Sequence, residues 1–238
     1  MFASLAKAFE QLGDPRIRGV LIAAVLASLA LLIVLSMIAS WFLLWGGDLL
    51  AEWALEGDGD SWLRGLLDWF LGAATVAAVA FASFLLFPAA VGLVLSFFLD
   101  RVVDAVEARH YPGLPAARAQ PLGEVLRGAL VFALVAIAVN LVALPIYLLL
   151  LFLPPFNLLV FYMVNGYLLG REYFELVAVR RLEAAEAGRL RRRARGRVLL
   201  SGVAIAILLT IPLVNIVMPV VAAAFMVHVF HGLRERAA

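Results

Sequence analysis

The sequence predicts an all-α integral membrane protein with two long transmembrane helices and two proline-broken, partly inserted helical hairpins. Three observations carry this. Of the 238 residues, 65% are hydrophobic and only 15% are charged, whereas soluble domains are roughly 45–50% apolar. Four stretches contain no Asp, Glu, Lys or Arg: Gly19–Gly47, Trp69–Leu99, Gly128–Gly170 and Val198–Phe230, of 29, 31, 43 and 33 residues. The last two carry a breaker near the middle, Leu153-Pro154-Pro155-Phe156-Asn157 and Ile211-Pro212-Leu213-Val214-Asn215. Period-two alternation is missing, so strands are not expected.

A helix needs about 20 apolar residues to cross a hydrocarbon core about 30 Å thick. The first two runs each suit one long, tilted crossing. The last two each suit two short helices, because proline lacks the amide proton and pushes the preceding residue out of helical conformation. A turn at such depth must be buried in protein or lie near an interface. The arm Val198–Ile211 has 14 residues, about 21 Å of helix, so the hairpins are expected to dip part-way. One membrane domain over 1–238 results. It comprises an interfacial helix at 2–12, long helices at 15–47 and 62–111, a first hairpin with its cytoplasmic extension at 121–187 and a second at 198–233.

In the N-terminal segment Phe2, Leu5, Phe9 and Leu12 share one helical face, as in a helix lying in the membrane interface. Gly13 is suited to a left-handed residue ending it. Asp14 is suited to cap the next helix and Pro15 to its first position. No cleavable signal peptide is expected, since the first apolar run is too long for one.

Charge sets the topology. Asp48–Asp68 holds Asp48, Glu52, Glu56, Asp58, Asp60 and Asp68 against Arg64 alone, while Arg171–Arg197 holds nine arginines against four glutamates. Cytoplasmic loops are rich in Lys and Arg, so the second segment is expected inside and the first outside. Both termini, with Arg234 and Arg236 at the C-terminal end, then lie in the cytoplasm. Trp41, Trp45, Trp53, Trp62 and Trp69 flank the acidic segment, the pattern of an outer aromatic belt.

With no cysteine, disulfides, thiolate metal sites and cysteine nucleophiles are excluded. No phosphate-binding glycine loop, HExxH or GxSxG pattern occurs, and neither cofactor nor metal is expected. The polar residues inside the uncharged runs are neutral, Asn140, Asn165 and His228 among them, which argues against a carboxylate proton relay in the membrane core. Arg189–Arg197 abuts a membrane run, so anionic headgroups suit it better than nucleic acid. Gly166 and Gly170 form a small-xxx-small pair suited to close helix packing.

Two clusters are candidate sites. Arg16 and Arg18 fall in the first turn of the first long helix, where free amides and the positive dipole end attract an anion and guanidinium groups match an oxyanion. The plainer reading is that they only set topology. Asp104, Glu107, Arg109 and His110 lie on adjacent turns and suit either a charged pore vestibule or a solvated helix end.

Taken in order, the motifs resemble a known family. Gln11-Leu12 with Pro15-Arg16-Ile17-Arg18 is similar to the entry motif of the CysZ sulfate permeases, and Ile211–Pro219 to that family's second-hairpin motif. Asn165–Glu175 is similar to the bacterial branch of the wider etoposide-induced-protein family. The resemblance implies a permease bringing sulfate, or sulfite or another oxyanion, across the bacterial inner membrane for cysteine synthesis. It also implies a homo-oligomer within the lipid bilayer, and no nucleic acid. It places the anion at Arg18, with Ile17, Gly19 and Arg16 beside it. Arg16 stands where the family usually has glycine, and Gly19 where it usually has a second arginine. A non-transporting, membrane-shaping or scaffold protein of the same fold is the alternative.

Overall fold

The computed structural model describes residues 2–54, 61–212 and 214–235. Glu56, Asp58 and Asp60 of the acidic segment, Leu213 of the second breaker and Arg236 lie outside them. Among the described residues every regular element is helical: α1 (Phe2–Glu10), α2 (Pro15–Ala54), α3 (Ser61–Ser96), α4 (Leu99–His110), α5 (Leu122–Leu149), α6 (Pro154–Ala178), α7 (Ala184–Arg193), α8 (Arg195–Leu209) and α9 (Val214–Arg234), with a 3₁₀ turn at Gln11–Gly13.

Helices α2, α5 and α9 are long and apolar enough to cross a membrane. The 28 residues of α5 make about 42 Å of helix, so the first hairpin is not confined by length to part of the bilayer. The 15 residues of α8, about 22 Å, fall short of a crossing. Both breakers lie beside turns. Pro154 and Pro155 open α6 at its first two positions, where the missing amide costs no helical bond. The Asn157 side-chain amide reaches back to the Tyr147 carbonyl at 3.4 Å. At the second turn the Thr210 hydroxyl caps the Ile207 carbonyl and faces the Tyr162 hydroxyl at 3.2 Å, tying the two hairpins together.

The chain forms two compact units, Met1–Val20 with Phe98–Ala238, and Leu21–Phe97. In the first, α9 is the hub. It packs against α1, α4, α6 and α8, and Val220 through Phe230 are all buried, as expected of a helix apolar on every side. The arms α6 and α8 meet backbone to backbone. A Cβ on Gly202 would lie 2.5 Å from the Gly170 nitrogen and against the Gly166 carbonyl, and one on Gly170 would lie 2.5 Å from the Val198 carbonyl. In the second unit α2 and α3 are joined by a Ser36–Ser83 hydroxyl contact of 2.7 Å, beside an apolar groove of about 870 Å³ lined by Ile33, Met37, Trp41 and Phe87. Ile22, Leu26, Ile33 and Met37 on α2, and Leu130, Leu134, Ile137 and Leu141 on α5, are exposed, as side chains facing lipid should be.

Three local features differ from the sequence reading. Gly13 does not adopt positive φ. The corner after α1 is instead a 3₁₀ turn closed by the Asp14 amide on the Gln11 carbonyl at 2.9 Å. α1 buries Ala8 and the turn after it buries Gln11, while Leu5, Phe9 and Leu12 are only half-buried, so the inner face packed on α9 lies beside the Leu5-Phe9-Leu12 stripe rather than along it. The helix expected over 62–111 is interrupted at Phe97 and Phe98.

The loop Tyr111–Pro121 carries no regular structure but is anchored at several points. Its Arg118 amide donates to the Arg180 carbonyl at 2.9 Å. The Arg118 guanidinium spans the Val179 carbonyl at 3.3 Å and both Glu124 oxygens, and the Pro115 carbonyl accepts from Arg181.

Candidate functional site

Asp14 builds the corner where α2 begins. Its backbone is extended, its Oδ1 accepts the Arg16 amide at 2.9 Å, and its carbonyl accepts the Arg18 amide at 2.9 Å. This is an N-cap with proline at the first helical position. The Asp14 carboxylate therefore occupies the dipole end expected to attract an anion, and its other oxygen lies 3.5 Å from the Arg109 guanidinium. What remains for a solute is the space beside the turn. Ile17, 2% exposed, anchors α2 to the interior, while Arg16, Arg18 and Gly19 are exposed.

That space is a cavity of about 370 Å³ lined by Arg16, Ile17 and Val20 of α2 and by Arg101, Asp104 and Ala108 of α4. Positions 101, 104, 105 and 108 share one face of α4, and the small side chains of Ala105 and Ala108 leave room between the helices. Arg18 and Gly19 project from other sides of α2 and do not line the cavity. Arg101 was not singled out from the sequence. Its signal was the spacing Arg101-x-x-Asp104-Ala105-x-x-Ala108, a charged face with small residues at helical intervals. Its guanidinium lies 5.1 Å from the centre of the Phe98 ring, a cation–π contact that limits its range.

Asp104 faces Arg180, which also holds Asp100 at 2.8 Å. Arg180 is 7% exposed, whereas the Asp104 side chain is 60% exposed. Of the four residues considered as a vestibule, only Asp104 lines this cavity. Arg109 turns to Asp14. The His110 ring packs edge-on against His228, with centres 4.9 Å apart, and its pKa is lowered by burial and by the positive charges of Arg109 and Lys7.

Glu107 turns inward and is 3% exposed. It accepts from Arg181 at 2.5 and 3.0 Å and lies 3.0 Å from the His231 Nε2. Burial pushes its pKa upward, but hydrogen bonds from His231 and Arg181, with their charges, outweigh this and hold it at about 2. Tyr111 stacks on His231 at 4.1 Å and places its hydroxyl 2.9 Å from the His228 Nδ1. Its pKa is raised by burial and by Glu235 and Glu107. This inward cluster ties α4 to α9, so α4 presents Arg101 and Asp104 on one side and its structural anchor on the other.

Chemically, the cavity offers two guanidinium groups from different helices, an apolar floor and a carboxylate engaged elsewhere. Among the described residues neither Arg16 nor Arg101 forms an ion pair. Planar multi-donor cations in that state suit an oxyanion. Over residues 4–219 the chain matches the family model described as sulfate transporter CysZ/etoposide-induced protein 2.4. No curated protein matches it.

Proposed function

The chain belongs to the sulfate transporter CysZ/etoposide-induced protein 2.4 family, and on that premise we propose that it is a permease bringing sulfate into the bacterial cytoplasm to supply sulfur for cysteine synthesis. The observation that carries the reading is the match itself, which spans both the α2 corner and the α4 face that line the arginine cavity. Arg16 holds the anion at the cavity wall and Ile17 fixes the turn that carries it. Arg18 and Gly19, on the exposed side of the same turn, meet the anion as it leaves toward the cytoplasm. The protein sits in the inner membrane as an oligomer with both termini in the cytoplasm, the side that the Arg171–Arg197 segment favours.

Purified protein reconstituted in liposomes is expected to take up radiolabelled sulfate faster than protein-free vesicles. Arg16→Ala with Arg18→Ala should cut that uptake about tenfold or more, the effect of losing charge-assisted hydrogen bonds to the solute. Absence of flux from correctly inserted protein overturns the proposal and leaves a membrane-shaping or scaffold role.

A further inference from the structure

We propose that Arg101 is the second anion-holding arm of the cavity, and that Arg180 sets the cavity's preference for a doubly charged oxyanion by engaging the Asp104 carboxylate. The inference rests on the permease reading and deepens it. Three charged side chains line the space: Arg16, Arg101 and Asp104. With Asp104 free, the lining carries one net positive charge, and the carboxylate repels any anion that the arginines attract. With Asp104 held by Arg180, the two arginines on the opposing helices remain to meet the solute, which matches a dianion.

The geometry supports a fixed partner rather than a passing contact. Arg180 is buried and sits in the turn after α6. Its carbonyl accepts the Arg118 amide at 2.9 Å, and its guanidinium bridges Asp100 and Asp104 one turn apart on α4. Asp100 does not line the cavity, so its carboxylate does not face the solute directly. The two arms are also placed from below. Arg16 projects from a turn fixed by the Asp14 cap, and Arg101 lies over the Phe98 ring. The small side chain of Ala108 faces the same space, which leaves the solute in contact with the guanidinium groups rather than with bulky apolar side chains. Arg180 is thus a positioning residue, acting through Asp104, whereas Arg101 touches the solute.

The test is sulfate binding to the full chain in lipid nanodiscs by titration calorimetry at low salt, with nitrate as the singly charged competitor. Arg101→Ala is expected to weaken sulfate about tenfold, the scale of one close charge in a partly solvated site. Arg180→Gln should weaken sulfate by a similar factor and shrink its advantage over nitrate. Asp104→Asn should strengthen sulfate, and Arg180→Gln with Asp104→Asn should restore what Arg180→Gln alone lost. A purely structural role for Arg180 would lower the melting temperature without moving the sulfate-to-nitrate ratio. The inference is overturned if that ratio stays put in Arg180→Gln, or if Asp104→Asn and Arg101→Ala bind sulfate as the unsubstituted chain does. If the unsubstituted chain binds no oxyanion, the permease reading falls as well; sulfate binding indifferent to all three positions sinks the inference alone.

Discussion

Gly202→Ala is expected to lower the stability of the folded protein by about 3 kcal/mol or more and to prevent α8 from seating on α6. The new methyl carbon would stand 2.5 Å from the Gly170 nitrogen, 2.7 Å from its Cα and against the Gly166 carbonyl. All three neighbours are backbone, so no rotamer change relieves the overlap. Insertion of a methylene into a packed core costs about 1–3 kcal/mol even where side chains adjust, and here a whole helix must retreat. The opposing positions have the same problem: a Cβ on Gly166 would meet the Val203 nitrogen at 2.8 Å. Gly128→Ala is the control, because its Cβ meets nothing within 4 Å. Thermal melts of purified protein in detergent should show a large drop for Gly202→Ala and none for Gly128→Ala. A Gly202→Ala protein melting within about 2 °C of the parent, a shift of about 1 kcal/mol at most for a chain this size, would refute the backbone seam.

Glu107 carries the second large effect, and it depends on pH. Its carboxyl titrates at about 2 in the folded protein against an ordinary value of 4.5. The unfolded chain therefore takes up a proton as pH falls through 4.5 while the folded chain does not, so stability from this group is complete above that pH. It is lost progressively as pH falls toward 2. The gap of roughly 2.5 pH units between 4.5 and about 2 corresponds to about 3 kcal/mol. Glu107→Gln keeps the shape but removes the charge, leaving Arg181 and His231 without their buried counter-anion. Breaking a buried pair from one side costs about 3–5 kcal/mol. The expected result is a lower melting temperature near neutral pH and a flatter acid limb between about pH 5 and pH 2, the window set by the two titration points. Parallel pH profiles for the parent and the variant would dismiss this account.

The features legible from sequence are those set by neighbours along the chain. Uncharged runs marked the long apolar helices, the prolines marked the hairpin turns, and Asp14-Pro15 marked the start of α2, where the cap forms at Arg16. Gly166 and Gly170 were readable as a packing face because they lie four residues apart on one helix. Gly202 was not, since its partners sit on another helix and no spacing within α8 announces them. Glu107 shows the same limit. Its local surroundings, with Arg109 and His110 close by, fit a solvated helix end, but its partners Arg181 and His231 are 74 and 124 residues away. The lining of the candidate cavity was half legible. Arg16 and Ile17 came from the motif at the corner, whereas Arg101 becomes visible as a lining residue only when α4 is laid beside α2. The break at Phe97–Phe98 falls in Ser96-Phe97-Phe98-Leu99, where neither proline nor glycine marks it.

The loop Tyr111–Pro121 has a consequence for turnover. An exposed, helix-free stretch between two helices is where a protease ordinarily cuts, and Arg118 is the residue that a trypsin-like enzyme would seek. To enter such an active site the chain must be drawn out straight, with the guanidinium inserted into an acidic pocket. Here the Arg118 amide and guanidinium are already engaged by Arg180, Val179 and Glu124. The same strap that holds Arg180 in its turn ties down the one arginine at which the loop could be severed.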